Sequence, residues 1–528
     1  MVNVLGIVDL PLLVFALVPL GTAALLIFLE VLIKVSRLQK NIFHIIAILG
    51  ALVDIVLAYL FAYSFINQTA LQYYEESLIV TLKADATSLF FIVIFTTIHF
   101  AVSIYCVNFM DKWDELPRFY ALLLAVVAGL NMIVLVTDYF TLFVAWEGMV
   151  LCAYAMVGFY RDVEASEAGF KYLIMSSSGS VIFLYGVALL YGVVGKIDFA
   201  SLATTPATNN LVLALGIVFI ILGFGITASM FFLNTWLPDA HPAAPPPAHA
   251  MLSGIIVIGG TYGILRTVIL VVPLDQITLN ASAFIVSNWN YILIVLGILT
   301  SLQGNLYALI QFMRTDPHAR NLKRILAFST ISHMGYLITG LGAANLLGLS
   351  GVLFHALSHA LAKGILFMIT GFLIISTGTY YLDYYKGLGR RDWVLGACLI
   401  VGLFSLASVP LTAGFWSKLQ IMLALFTMAG PSDPVAMMFG IGAGLAMLIF
   451  TIIAAAGYLW IIKYVIMDKS DQDQEYIDGF DKVSKNWRLS WSMKFSIVFL
   501  SILTLIIGVA PWMVTEFALG AASALLGI

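Results

Sequence analysis

The sequence predicts an all-α polytopic membrane protein, and three observations predict it. Hydrophobic residues make up 62% of the chain and charged residues 10%, with a mean hydropathy of +1.03. A soluble domain needs roughly 25% charged residues to cover its surface, so lipid must solvate most of this one. Second, charge clusters and Pro/Gly loops cut the chain into apolar runs of about 20 residues, the length of a membrane-crossing helix. Helix is the expected state because open strand edges leave backbone groups unpaired in lipid. Third, Lys and Arg crowd onto alternate connections.

There are about fourteen such runs, each closed by a recognisable break. Run 10–33 stops at the basic stretch Lys34 to Lys40. Run 42–66 stops before a polar segment that carries Lys83, and 86–109 before the cluster from Lys112 to Arg118. Runs 119–136 and 139–159 meet at Thr137-Asp138, and the second ends at Arg161. Run 172–195 begins after Lys171 and ends at Lys196. Run 211–237 leads into the proline-rich stretch Trp236-Leu-Pro-Asp-Ala-His241-Pro-Ala-Ala-Pro-Pro-Pro247, read as a stiffened loop, and 248–272 follows it. Run 290–312 ends at the cluster Arg314 to Arg324; 325–343 and 346–377 are joined by a tight turn. Run 394–427 begins after Lys386 to Arg391, 437–462 after Gly430-Pro431, and 495–514 after the charged segment Lys463 to Lys494. Within that segment, Asp468 to Arg488 reads as a solvated loop with an amphipathic stretch.

The charge bias orients the chain. Outside the runs, every Lys and Arg except Lys83 and Lys196 falls on one side. The positive-inside rule makes that side cytoplasmic and places both termini outside. The N-terminus has no basic region ahead of its first apolar run, so that run reads as a span and not a cleaved signal. The net charge of -3 gives no reason to expect nucleic acid. Cys106, Cys152 and Cys398 lie far apart with no CxxC spacing, so neither a metal cluster nor a disulfide framework is expected. No GxGxxG, P-loop or iron–sulfur spacing occurs, so the chain is expected to hold no cofactor and no catalytic redox centre.

Ionisable residues inside the runs carry the functional reading, because buried charge in a bilayer lines a polar path or finds a partner. Glu147 sits near the middle of its run; its alternative is a protonated acid bonded between helices. His355, His359 and Lys363 recur every four residues and share one helix face. Imidazoles titrate near neutrality, so the trio reads as a proton wire or as inter-helix polar contacts. Lys418 follows Ser405-Leu-Ala-Ser-Val-Pro410-Leu-Thr-Ala-Gly414, where proline removes a donor and interrupts the helix. Such breaks are tolerated only where they meet protein or water. His333 extends the same route or serves as a helix contact. Glu30 and Asp54 read as inter-helix contacts, and Arg266 as a residue snorkelling to the headgroups.

Several of these stretches together resemble a family. Trp236-Leu-Pro-Asp-Ala-His241 with Ala244-Pro245 and Leu252-Ser-Gly254 is similar to the signature of antiporter-like subunits of respiratory complex I. Mrp-type cation/proton antiporters and related membrane-bound hydrogenases share it. Lys323-Arg-Ile-Leu-Ala-Phe-Ser329, His333-Met-Gly335, His355 to Lys363 and Pro410 to Lys418 also resemble the family, over roughly residues 80–465. The resemblance implies two inverted five-helix repeats with discontinuous helices, at 111–273 and 274–466. Residues 1–110 would supply three preceding helices, and 467–528 a cytoplasmic loop and a final helix.

Carried over residue by residue, the resemblance assigns ion translocation to Glu147, Lys363, Lys418, His355, His359 and His333. The chain departs from the pattern in its first half. The family's first-half lysine falls on Thr227, its proline on Phe232, a common histidine on Asn234, and the eighth-helix lysine on Ile258. Lys171 is a candidate substitute partner for Glu147, or an interfacial anchor. The implied function is an ion-translocating subunit, moving H⁺ with or without Na⁺, in the prokaryotic cell membrane. Its partners would be other membrane-arm subunits and a peripheral redox module of hydrogenase, sulfur-reducing or quinone-reducing type. The alternatives are a non-conducting coupling subunit of such a complex, or a subunit of an Mrp-type antiporter.

Overall fold

The computed structural model describes residues 2–4, 8–32, 37–67, 72–76, 80–204, 210–271, 288–314, 319–428, 434–468 and 490–526. Lys34 and the segment 469–489, with its expected amphipathic stretch, lie outside them. Apolar helices dominate. In order they are α1 (Val14–Leu32), α2 (Arg37–Asn67), α3 (Ala86–Phe109), α4 (Leu116–Leu135), α5 (Tyr139–Val157) and α6 (Val163–Val194). The short α7 (Phe199–Thr204) leads to α8 (Asn210–Thr227) and α9 (Leu237–Ala243). Helix α10 (Pro246–Met251) continues through a π-helical turn, Leu252–Ile256, into α11 (Val257–Val271). Then come α12 (Trp289–Met313), α13 (Leu322–Gly342), α14 (Leu346–Thr377), α15 (Trp393–Ala407) and α16 (Ala413–Phe426). Last are α17 (Pro434–Ile462), α18 (Trp491–Val509) and α19 (Trp512–Leu526). Among the described residues, strands are confined to two small hairpins, Val2–Val4 with Val8–Leu10 and Gln72–Glu76 with Thr81–Asp85.

Twelve described helices are long and apolar enough to cross a membrane, and four shorter ones are also apolar. Every expected run appears as helix. The polytopic all-helical class therefore stands. Run 495–514 stops at Val509, and α19 follows it as an element that the sequence reading did not separate.

Helices pair closely where glycine removes the side chain. Helix α12 lies along α13, where a Cβ on Gly304 would sit 2.4 Å from Ser332 N and one on Gly335 2.4 Å from Ser301 N. Helices α6 and α8 pair likewise through Gly186 and Gly216. Small residues are the usual device for helix contact in lipid, where no hydrophobic effect draws helices together. Other helix starts are held by side-chain caps: Asp85, Asp138, Asp162, Asn321 and Asn345 each accept from an N–H of the first turn.

Two helices are discontinuous. Between α15 and α16, Ser408 (φ 61°) and Leu411 (φ 71°) adopt left-handed conformations, and Pro410 lies between them. Gly414 permits the close return, since a Cβ there would lie 1.8 Å from Ser405 O. The other break falls within run 211–237, where the resemblance sets its first-half broken helix. It lies upstream of the proline-rich stretch, between α8 and α9, with Ser229 (φ 54°) and Phe232 (φ 57°) left-handed. Trp236–Pro247, expected as a loop, is largely helix in α9 and α10. In both breaks the left-handed residues are three apart.

Arg266 also departs from expectation. It does not snorkel but points inward, donating to Asp85 Oδ2 (2.7 Å), Ser88 Oγ (3.1 Å) and Tyr262 OH (2.6 Å). Burial pushes the Asp85 carboxyl up, but the Arg266 charge and the Ser88 donors outweigh it and hold it below its ordinary value. Glu30 pairs with Arg118, joining α1 to α4 at 2.8 Å. Removing one partner of a buried pair strands the other, at roughly 3–5 kcal/mol. Asp85→Ala should therefore lower the thermal stability of the detergent-purified protein by about that amount, and a second change, Arg266→Leu, should restore part of it. An additive loss in the double variant would show that the pair is not coupled.

Candidate functional site

The second half encloses a line of buried polar side chains, built outward from the break at Pro410. In an unbroken helix the N–H of residue 410 would bond Leu406 O, but proline has no N–H. Lys418 Nζ donates to Leu406 O instead, at 2.9 Å, with Tyr336's ring 4.7 Å away. The lysine is 1% exposed.

Beside it, Ser417 Oγ lies 2.9 Å from His355 Nδ1. His355 Nε2 is 3.1 Å from His333 Nδ1, and the two rings stack with an interplanar angle of 3°. His333 Nε2 approaches Tyr458 OH at 3.4 Å, and Tyr458 OH hydrogen-bonds Ser329 Oγ. Lys363 Nζ donates to that Ser329 Oγ at 2.7 Å and to Leu326 O at 2.8 Å. Thus α13, α14, α16 and α17 supply an unbroken sequence: Ser417, His355, His333, Tyr458, Ser329, Lys363. Every member is buried. His359 branches from it, with its ring 5.2 Å from His333 and its Nε2 3.1 Å from Ser253 O.

The sequence reading placed the histidines and lysines but missed the hydroxyls that join them. Ser329, Ser417 and Tyr458 carry no signal of their own in an apolar chain. It also missed Lys323, which is 4% exposed and donates to Pro242 O (3.0 Å) and Ala244 O (3.3 Å). Pro242 stands in the last turn of α9, and the chain runs extended through Ala244 and Pro245, so the Pro242 carbonyl has no helical donor. His241 and His249, both buried, lie beyond it; His241 stacks on Phe367, and Phe367's ring is 6.0 Å from Lys363 Nζ.

At the basic face, a polar cavity of about 370 Å³ is lined by Glu164, Lys171, Asp239, Arg314, Arg324 and Tyr381, among others. Asp239 there accepts from Lys171 and from Arg324 Nη2 (3.3 Å). Lys171 is therefore engaged with Asp239 and is not the expected partner of Glu147. Glu147 accepts from Ser180 Oγ at 2.7 Å. Ser180 lies nine residues beyond Lys171 on α6, about 13 Å along the axis, which puts Lys171 out of reach.

The first-half break is held by neutral donors. Trp236 Nε1 donates to Ile226 O (2.9 Å) and Asn234 Nδ2 to Gln303 Oε1 (2.8 Å). Thr227 is fully buried with its hydroxyl unpartnered, Ile258 is buried, and Phe232 turns outward at 56% exposure. Glu147 is half-buried, and Thr227, Asn234 and Ile258 carry no charge at the positions where the resemblance sets cations or their supports.

Residues 136–446 match the family model described as NADH:quinone oxidoreductase/Mrp antiporter, transmembrane. The chain is 30% identical to hydrogenase-4 component B of Escherichia coli over 396 residues, which is 70% of this chain and 56% of that protein. The chain thus spans little more than half of that relative. It is 29% identical over 425 residues to NADH-quinone oxidoreductase subunit N of Heliobacterium modesticaldum, covering 79% of this chain and 81% of the relative. Among solved structures, it is similar to a chain of the membrane-bound sulfane sulfur reductase, an archaeal respiratory membrane complex. That match has a TM-score of 0.80 at 25% identity, covering 98% of this chain and 97% of the other. A chain of the Mrp complex from a Dietzia species shares the fold, with a TM-score of 0.81 at 21% identity and the same coverage.

Lys363 is buried without a carboxylate, while Leu326 O and Ser329 each keep another partner, Thr330 Oγ1 and Tyr458. Lys363→Met should therefore fold and melt within about 1 kcal/mol of the parent, since an isosteric apolar side chain removes the burden of burying an amine. A loss above about 3 kcal/mol in a thermal melt would mark Lys363 as a structural strut instead.

Proposed function

The chain belongs to the NADH:quinone oxidoreductase/Mrp antiporter transmembrane family, and from that premise we propose that it moves protons across the membrane as one subunit of a larger energy-converting complex. The single observation that carries the reading is the run of buried donors and acceptors from Ser417 to Lys363, with Lys418 at one end. Each member can accept a proton on one atom and release one from another: the imidazoles through their two nitrogens, Tyr458 and the serines through their hydroxyls. Lys418 and Lys363 take up and release the proton at the ends. The cavity around Asp239 and Arg324 is the mouth on the basic, cytoplasmic face, and Lys323, His241 and His249 lie between it and Lys363. Both termini then face outward.

The matched breaks, each with left-handed residues three apart, support two repeats at 111–273 and 274–466, with 1–110 before them and 467–528 after. Within this scheme the two halves have different duties. The second keeps its titrating groups, whereas the first has Thr227, Phe232, Asn234 and Ile258 where cations and their supports are expected. Glu147 there acts as an isolated acid. The subunit works in the prokaryotic cell membrane beside other membrane-arm subunits, with a peripheral redox module supplying the driving reaction and H⁺ as the ion moved in place of Na⁺. The altered first half favours a second reading, in which the subunit transmits change without conducting.

In proteoliposomes carrying the intact complex, Lys418→Ala should reduce coupled proton uptake at least about tenfold while leaving the uncoupled redox rate in place. Thr227→Val should change uptake by less than about twofold, because no charge is removed. Equal sensitivity at both positions would overturn the asymmetry. Full uptake in Lys418→Ala would leave the non-conducting reading standing.

A further inference from the structure

Helices α1 to α4 lie outside the line just described, yet they bury a second set of titratable side chains. Their basic-face end is fixed by contacts. Lys40 Nζ donates to Asp111 O (2.9 Å) and pairs with Asp114 (3.0 Å), and His44 Nε2 lies 3.9 Å from Asp111 Oδ1. His44 Nδ1 then meets Tyr120 OH at 2.8 Å, and Tyr120 OH donates to Ser103 O at 3.1 Å. This puts the start of α2, the start of α4 and the end of α3 at one level.

On α3, His99, Ser103 and Cys106 recur at i, i+4 and i+7 and share a face. That face meets α4, since Ser103 O receives Tyr120's hydroxyl and Cys106 lies beside Tyr120. Counting about 1.5 Å per residue from the level of His44, Tyr120 and Ser103, His99 lies about 6 Å in, and Asp54 on α2 and Asn131 on α4 lie about 15–17 Å in. Asn131 Nδ2 donates to Phe15 O at 3.1 Å, and its side chain reaches toward Asp54.

These groups are deeply buried and undersupplied with partners. Asp54, His99 and Asn131 are 0% exposed. Both carboxyl oxygens of Asp54, both ring nitrogens of His99, Ser103 Oγ, Asn131 Oδ1 and His44 Nε2 lack a hydrogen bond. Buried polar atoms are ordinarily satisfied, and a clustered run of exceptions marks a place for water or a proton.

We propose that α1–α4 hold a second protonatable site, in which Asp54 binds a proton that reaches it from the basic face past His44, Tyr120 and His99. The titratable groups on the packed elements are Glu30 on α1, tied to Arg118; His99, Tyr105 and Cys106 on α3; Tyr120 and Arg118 on α4; and Arg37, Lys40, His44, Tyr59 and Tyr63 on α2 itself. Among the described residues, none sets a charge against Asp54. An ionised carboxylate there would stand buried with no cation and only the Asn131 amide beside it, whereas the acid form can also donate to the unpartnered Asn131 Oδ1. A proton fits better than a metal ion, because hard cations demand about six oxygens and this place offers the Asp54 pair and Asn131. Atoms balance when His99 takes a proton on one ring nitrogen and gives up the one on the other, which crosses intervening water to form the O–H of Asp54.

Infrared difference spectroscopy of the intact complex in lipid, transferred from H₂O to D₂O, tests the site. The expected result is a protonated-carboxyl C=O band absent in Asp54→Asn and shifted in Asn131→Leu. Its deuterium exchange should slow about a hundredfold in His99→Leu or His44→Leu. The band should persist in Lys418→Ala, so failure of the C-terminal route and failure of this site are distinguishable. A wild-type spectrum with no Asp54-dependent acid band, or exchange indifferent to both histidine changes, overturns the proposal. A band that Na⁺ removes would overturn it in favour of a cation site.

Discussion

A backbone carbonyl inside an apolar bundle must have a donor, and proline four residues further on takes away the one a helix would provide. The second half of this chain meets that demand with lysine. Pro410 frees Leu406 O and Lys418 caps it; the end of α9 at Ala243 leaves Pro242 O without a helical donor and Lys323 caps it. An ammonium would be expelled from such surroundings were it not anchored. The same bond thus repairs the helix break and fixes a titratable group beside Ser417 and His355. Stability and the candidate proton path share atoms here, and the line of hydroxyls and imidazoles follows from them.

The first-half break solves the same problem without charge. Trp236 and Asn234 supply neutral N–H donors, and backbone N–H groups of Ser229 and Met230 take Ile226 O and Gly225 O. Nothing there requires a cation, which explains how Thr227 and Ile258 can occupy their positions without disturbing the fold. Glu147 is left with Ser180 as its donor and half-buried on the bundle flank. The two halves are alike in backbone path and unlike in what they can protonate.

Much of this was legible in the sequence because lipid imposes a simple rule of length and apolarity. All the spans, the Pro410 break and the buried ladder of His355, His359 and Lys363 come from spacing alone. The first break was legible only through the family resemblance, which sets its proline on Phe232, since Ser229 and Phe232 turn left-handed without glycine or proline at either position. Arg266 was misjudged because its partner, Asp85, is far away in sequence, and only the packing of α3 on α11 brings them together. Lys171 was misjudged because side-chain reach depends on helix register against α9. The serines and Tyr458 matter only through what they touch.

A reconstruction of the whole complex in lipid, at a resolution that resolves water, addresses the shared role of the lysines most directly. The expected map joins Lys418 to Lys363 by continuous side-chain and water density within the hydrocarbon slab, with Lys418 on the Leu406 carbonyl in at least one state. A dry apolar gap between His355 and Ser329 in every state, or ammonium groups turned toward lipid, would contradict it.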